Sequence, residues 1–411
     1  MKKILLFASL FFMIGLQSCI KDELRRKVTI FRPVFKTKME VRNSIISDVP
    51  MDVKNPGKLF YKDGFVFLNE LNKGIHIIDI KNPSNPTSVA FVKIPGNVDM
   101  AVRGNILYAD LYTDLVAIDI SNPRAVKLTS VNEGVFPDRM TYGYMGDTGK
   151  IIVDWISVDT VLREDEFFAW GMRKDVMMSA TSSSSPSSSG VANGTGGSMA
   201  RFALSNDRMY TVDSRNLKVF NTTIPEKPVY VKQVSAGGWD IETIFPFGNN
   251  LFIGSMTGMY IFDISTKDNP VLQGTFVHAR VCDPVISDGK FAYVTLRNGN
   301  TCRGFENQLD VVDIADLKKP ALVKSYKLTN PHGLSKDGTT LIICDGKDGV
   351  KFFDASKASD VKQLGWVKDI NAFDVIAVNN VAIVSAVDAL YLIDYSNPAM
   401  PVIKGSVKIK N

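Results

Sequence analysis

Between Ile75 and Ile393 the chain repeats one phrase: a short β-branched run that ends in Asp and is followed by a turn rich in Asn and Pro. It reads IHIIDIKNPSNP from Ile75, LVAIDISNPRA from Leu115 and MYIFDISTKDNP from Met259, then LDVVDIADLKKP from Leu309, VKFFDASKASD from Val350 and LYLIDYSNPAMP from Leu390. Self-similarity at a fixed period signals stacked copies of one supersecondary unit, because a single copy cannot bury its apolar face alone. The steps are close to forty residues: Asp79 to Asp119 is 40, Asp313 to Asp354 is 41 and Asp354 to Asp394 is 40. Asn221, in LKVFN, takes the same place, 42 residues before Asp263.

Within a copy, four short strand signals alternate with Gly, Asn and Pro turns, as in VDMAVRG, ILYADL and LVAIDI from Val98. Four strands in about forty residues is the metre of a β-propeller blade, and an all-β solenoid, whose coils are shorter, is the competing array. The expected fold is therefore all-β, a β-propeller of four-stranded antiparallel blades. Asp119 and Asn221 are 102 apart, which reads as two steps plus an insertion, with KIIVDWISVDTVL from Lys150 as a degenerate copy. Removing roughly 35 residues for that insertion leaves about seven steps of forty, hence eight blades. Two copies depart from the pattern, the third, which lacks the Asn-Pro turn, and the seventh, with Ala355-Ser356 in place of Ile-Ser, so seven blades stay open. The phrase-ending Asp residues are read as structural, each accepting a backbone N–H two residues on in an Asx-turn.

The expected organisation is a leader over 1–18, a tether over 19–47 and a propeller over 48–411, with a disordered Ser/Gly-rich insertion at about 165–199. Lys2 and Lys3 precede the apolar stretch Ile4 to Leu16, which is too short to span a bilayer comfortably. It ends in Leu-Gln-Ser-Cys19, similar to the bacterial lipobox, where the Cys is lipidated; a plain secretory leader with a chance Cys is the alternative. MSATSSSSPSSSGVANGTGGSM, from Met178 to Met199, has too few apolar residues to order itself and reads as a mobile surface loop. VTIFRPVFKTKMEV alternates like a strand and could pair with an outer blade edge. Net charge is +5 and no long Lys/Arg block occurs, so nucleic acid is not an expected partner.

The phrases IHIIDI, LVAIDI and LDVVDI resemble the LVIVD-repeat family of β-propeller lipoproteins of Bacteroidetes, and the similarity extends from about Val49 onward. That resemblance implies a propeller on a lipid anchor and little about chemistry. The acidic Ile-Lys-Asp-Glu after Cys19 is similar to a surface-export signal of such lipoproteins, which implies an outer-membrane protein displayed at the cell surface, monomeric and held to the membrane by its N-terminal lipid.

Aligned on the phrase, the copies share a second position at the start of each inner strand. It holds Asp99, Asp138, Asp240, Asp283 and Asp374, with Arg201 and His332 in two copies and Asp52 in the first. Inner strands line the axis of a propeller, so these groups would form a ring at one channel mouth, with Arg139 and Glu242 nearby. Two readings stand. In one, each Asp caps the turn before it. In the other, crowded carboxylates hold a cation such as Ca²⁺, or a ligand with cationic or hydroxyl groups.

No HExxH, no GxSxG and no strand-following phosphate loop is present, and the four Trp follow no common register. His76 reads as a packed strand residue. Cys282 and Cys302 flank the loop RNGNTCRGFENQ and are candidates for a disulfide, while Cys344 in LIICDG packs as a small hydrophobe. The expected function is non-catalytic binding of a glycan, peptide or partner protein, with no cofactor beyond that cation. A hydrolase or lyase using one ring Asp with His332 or Arg201 is the alternative.

Overall fold

The computed structural model describes residues 25–137, 149–163, 177–178, 195–237, 241–277, 284–297 and 307–410. The chain divides into two compact units. One draws on residues up to 35 and on 143–182, and the other on 36–142 and 183–411.

The larger unit holds seven antiparallel sheets, six of four strands and one of six, and in each the four strands of the blade come from one contiguous stretch of chain. Their inner strands are Pro56–Lys62, Met100–Arg103, Phe202–Ser205, Ile241–Phe247, Val285–Ser287, Leu334–Asp337 and Ala372–Val378. Each contacts the inner strand before and after it, and the seventh contacts the first, so the sheets close into a seven-bladed propeller. Closure is sealed by a parallel bridge between Val53 and Ile409, and by a core in which Leu59, Val66, Leu68 and Ile78 of blade 1 pack on Ile376, Ile383, Leu390 and Leu392 of blade 7.

Seven is the smaller of the two counts that the sequence allowed. Lys150–Arg163, read there as a degenerate copy, is indeed a strand. It lies beside Arg25–Thr37, which also pairs with Met177–Met178, in the three-stranded sheet of the smaller unit. Arg25–Thr37 therefore finds its partners in the insertion and not at an outer blade edge. What does add to a blade edge is Ile46–Asp48, which extends blade 1 beyond its outer strand Thr87–Lys93.

The blade middles are nearly continuous apolar runs because both of their faces are covered by neighbouring blades. Gly74–Asp79 is buried along five of its six positions, whereas the outer strand Val229–Ser235 alternates between exposed and half-buried. Two-residue hairpins such as Asp63-Gly64 and Asn379-Asn380 join the first two strands, with positive φ at both residues, as tight antiparallel hairpins require.

Seven residues, such as 80–86 and 120–126, join the third and fourth strands of every blade. Here the expected Asx-turn is present in all seven blades. The carboxylate or amide oxygens of Asp79, Asp119, Asn221, Asp263, Asp313, Asp354 and Asp394 accept the amide two residues on, at 2.7–2.9 Å. Four residues after each of these, a backbone carbonyl presses on the preceding blade. The Tyr108, Tyr210 and Tyr326 hydroxyls donate to Pro225, Lys267 and Ala358, each at 2.9 Å. At three other seams the receiving residue is Gly274, Gly365 or Gly405, where a Cβ would meet Leu317 O, Pro398 O or Pro83 O at 1.9–2.4 Å. At the seam of blades 1 and 2, Phe67 of blade 1 stands where blades 2 and 3 have Tyr108 and Tyr210. The Ser47 hydroxyl of the added strand donates to Pro123 O instead.

These turns and hairpins share one face of the propeller. The opposite face carries the turns between second and third strands, such as 71–73 and 256–257.

Candidate functional site at the propeller axis

Strand register identifies which residues occupy the repeated inner position. In blade 7 Val378 pairs with Val381 at the hairpin, and Asp374 lies four residues before it. The same count gives Lys58, Asp99, Arg201, Thr243 and Gly333 in blades 1, 2, 3, 4 and 6. In blade 5 the hairpin partner of Phe291 is Asp288, which puts Pro284 at the position.

Asp99, Arg201 and Asp374 therefore share the register predicted for them. His332 is displaced by one residue from Gly333. Asp52 is not in the ring: it is half-exposed and pairs with Lys410 at 3.0 Å, next to the closure bridge. Its place belongs to Lys58, which the sequence pattern missed because a cation stands where the pattern is marked by acids. Asp138, Asp240 and Asp283 of the expected ring, and Cys19, Cys282 and Cys302, lie outside the described residues. Among the described residues no group of three or more His, Cys, Asp or Glu side chains is arranged to hold a metal ion.

Two of the ring carboxylates are buried. Asp99 is 1% exposed and lies 2.7 Å from Lys58 Nζ, itself buried. Burying one such charge costs several kcal/mol, so each holds the other in place. Asp99 also accepts the Arg201 and Met100 amides, each at 2.7 Å. Asp374, 1% exposed, accepts the Val375 amide at 3.0 Å, and its Oδ2 has no hydrogen-bond partner among the described residues. Burial pushes its carboxyl up to about 7, against the pull of hydrogen bonds from Val375 and Ser198 and of the Lys58 charge. Gly333 stands beside it because a Cβ there would meet Asp374 Oδ1 at 2.2 Å.

The axis itself is filled by the end of the insertion. Thr195–Gly196 adds a two-residue strand to the inner edge of blade 1, opposite Tyr61 and Phe60. Gly197, Ser198, Met199 and Ala200 are buried. Ser198 Oγ accepts the Leu334 amide of blade 6 at 2.8 Å and lies 3.5 Å from Asp374 Oδ1 of blade 7. Ala200 O accepts the Ile244 amide of blade 4 at 2.8 Å, and the Arg201 amide reaches Asp99 of blade 2. One short limb thus touches five blades. The expectation of a mobile surface loop does not hold for Thr195–Met199: Gly197 fits where a Cβ would meet Asp374, Ser198 is hydrogen-bonded and Met199 is buried.

His332 is 9% exposed, lies edge-on to Phe373 and faces Asn330 Nδ2 at 3.2 Å. Burial, aided by the nearby Arg297 charge, drives its imidazole down to about 3, so it is neutral near pH 7. Burial likewise lowers Arg297, whose charge Glu242 partly offsets.

A third repeated feature escaped the sequence pattern. Buried acids at the second-strand ends pair with bases on the third strands: Glu70 with His76 at 3.1 Å, Asp213 with Lys218 at 2.7 Å and Asp345 with Lys351 at 2.6 Å. Each acid also accepts amides of nearby loops: Lys54 and Asn55, Arg215 and Asn216, Thr329 and Asn330. These groups tie loops down and are structural. His76 is thus a packed strand residue. Cys344 is a buried free thiol, raised well above its ordinary pKa by burial.

Five stretches of the chain, 61–93, 96–131, 244–277, 281–328 and 371–409, match the LVIVD repeat, and they fall on blades 1, 2, 4, 5 and 7. No curated protein matches the sequence. Among solved structures the chain is similar to a putative 6-phosphogluconolactonase from Bacteroides fragilis, with a TM-score of 0.53 and 11% identity over 96% of this chain and 98% of that one. It is similar to the computationally designed Ika8 protein, with a TM-score of 0.52 and 10% identity over 89% and 92%. A protein from Lactobacillus plantarum gives a TM-score of 0.51 and 13% identity over 84% and 98%. At such identities the likeness is one of fold alone.

Proposed function

We propose that this LVIVD-repeat propeller is a non-catalytic binding protein of the cell envelope, which uses its long connections to hold a glycan, peptide or protein partner. The observation that carries this reading is the state of the inner ring. Asp99 is committed to Lys58 and to backbone amides, Asp374 lies beneath Gly197 and Gly333, and His332 is neutral. General acid–base chemistry needs a titratable group within hydrogen-bond reach of a substrate, and the described ring residues are packed against the chain itself. Loops on a rigid scaffold are the usual place for recognition.

The address is part of the same proposal. Lys2, Lys3, the apolar Ile4–Leu16 and the lipobox-like end at Cys19 support export and lipid anchoring as an outer-membrane lipoprotein. The acidic residues that follow support display at the cell surface.

The test is a glycan and envelope-protein binding screen on the chain from Lys21, with and without Ca²⁺, repeated on a variant in which 297–307 is replaced by a short turn. Capture of a partner that this variant loses is expected. Turnover of an ester, lactone or glycoside that the Asp374→Asn variant abolishes would overturn the reading. Protease treatment of intact cells tests display, with cleavage expected.

A further inference from the structure

We propose that the propeller axis is a binding site for an extended main chain with a Gly-Ser step, filled here by the chain's own Gly197–Ala200 and open to a partner strand of the same kind when that limb withdraws. This rests on the binding reading above and names the class of partner for it.

The contacts define what the site recognises. Thr195–Gly196 is held as a ladder strand on the free inner edge of blade 1, which is strand addition. The amide of Arg201 and the carbonyl of Ala200 are bound by Asp99 and by the Ile244 amide, and neither contact uses a side chain of the limb. The Ser198 hydroxyl takes part with its side chain. Gly197 is required by space: a Cβ on it would stand 1.8 Å from Asp374 Oδ2 and 2.3 Å from Cγ. A peptide with Gly against Asp374 and Ser after it satisfies the same contacts, whichever chain supplies it.

The limb is also separable from the ring. The inner strands contact one another all the way round, and blades 7 and 1 are sealed by the Val53–Ile409 bridge and their shared core. None of these contacts uses residues 195–200. The limb's own ladder is only two residues long, which is a weak hold for a strand. It also leaves Asp374 Oδ2 buried without a hydrogen-bond partner among the described residues, so its fit there is incomplete.

The experiment uses the full chain with Gly197→Val, which evicts the limb and leaves every blade residue of the site in place. The probe is a fluorescent synthetic peptide of residues 194–201, GTGGSMAR. The variant is expected to bind it. The unaltered chain should bind it at least about tenfold more weakly, because its own limb occupies the site most of the time. The peptide carrying Val for Gly197 should bind neither. A folded Gly197→Val chain that ignores the peptide overturns the proposal.

Should that variant not fold, hydrogen exchange on the unaltered chain decides. The amides of Arg201 and Ile244 are expected to exchange through an opening that leaves core amides such as those of Ile253 and Val384 protected, and excess peptide should slow Ile244. Exchange of Arg201 and Ile244 only together with the core makes the limb a permanent keystone and overturns the proposal. Loss of the peptide site with partner capture through 297–307 intact would defeat this inference alone and leave the binding reading standing.

Discussion

Lys58 Nζ lies 2.7 Å from Asp99 Oδ2 across the seam between blades 1 and 2, with both side chains no more than 2% exposed. The pair replaces the ring of like charges that the sequence suggested: the first blade contributes a cation where an acid was expected. The acid it neutralises also holds the Arg201 amide, so the pair fixes the point at which the insertion enters blade 3. Removing the cation alone leaves Asp99 buried and uncompensated. Lys58→Met is therefore expected to lower stability by about 3–5 kcal/mol, and Lys58→Met with Asp99→Asn to recover a large part of that loss. Urea unfolding of the two variants checks it. Equal losses in both would mean that the pair is not coupled.

Asp374 gives a pH dependence of definite sign. Its carboxyl is raised by burial from 3.8 to about 7 in the folded chain, so the folded state favours the protonated form. The stability this contributes is complete below about pH 4 and is lost as pH rises toward 7, at no more than about 1.4 kcal/mol per pH unit. His332 works the other way: burial lowers its folded pKa from 6.5 to about 3, so its contribution is lost as pH falls below 6.5. The two partly cancel in the total, and the difference between the unaltered chain and Asp374→Asn isolates the carboxyl. That difference is expected to move in favour of the Asn variant between pH 4 and 7. A flat difference curve would show that Asp374 ionises as freely folded as unfolded.

How much of this could be read from the sequence follows from what kind of signal each part leaves. The phrase-ending Asp residues recur because every blade needs the same turn, and all seven make the bond expected of them, Asn221 included. The blade count was less legible. Lys150–Arg163 alternates as a strand should, but pairing with Arg25–Thr37 is a long-range event that local pattern does not encode. In the ring, Asp99 and Asp374 were visible through the shared period. Lys58 was hidden by a charge opposite to that of the acids marking the position, and Gly333 by its lack of a side chain to notice. The limb at the axis was misread for a physical reason: poverty in apolar residues is the mark of disorder in a loop, yet Gly197 and Ser198 are what the space beside Asp374 and Leu334 calls for.

The inter-blade carbonyl contacts allow a comparison of two ways to meet the same group. Tyr210 donates to Lys267 O with a hydroxyl, while Gly365 receives Pro398 O by having no side chain at all. Tyr210→Phe leaves a carbonyl unpaired and keeps the shape, at an expected cost of about 1–3 kcal/mol. Gly365→Ala puts a Cβ 2.2 Å from a backbone oxygen, which cannot swing aside as a side chain would, and should cost as much or more through separation of blades 6 and 7. Thermal unfolding of both variants checks the order. A Gly365→Ala chain as stable as the unaltered one would show that the seam yields freely.

The Asx-turns make the last case, because the repeat has already carried out one substitution. Asn221 occupies in blade 3 the place that Asp holds in the other six, and its amide oxygen accepts the Thr223 amide at 2.9 Å, as the Asp119 carboxylate accepts Ser121 at 2.8 Å. What the turn requires is an oxygen at that distance and not a charge. Asp119→Asn is therefore expected to leave stability within about 0.5 kcal/mol of the unaltered chain, whereas Asp119→Ala should cost roughly 0.5–1.5 kcal/mol through the lost hydrogen bond. Asp119 is held below its ordinary pKa chiefly by the Ser121 amide, so the gap between the unaltered chain and the Ala variant should narrow at low pH, once the carboxyl is protonated and its bond weakened. Chemical denaturation of the three chains at pH 7 and at low pH measures this. An Asn variant as damaged as the Ala variant would mean that charge, and not the acceptor, shapes the turn.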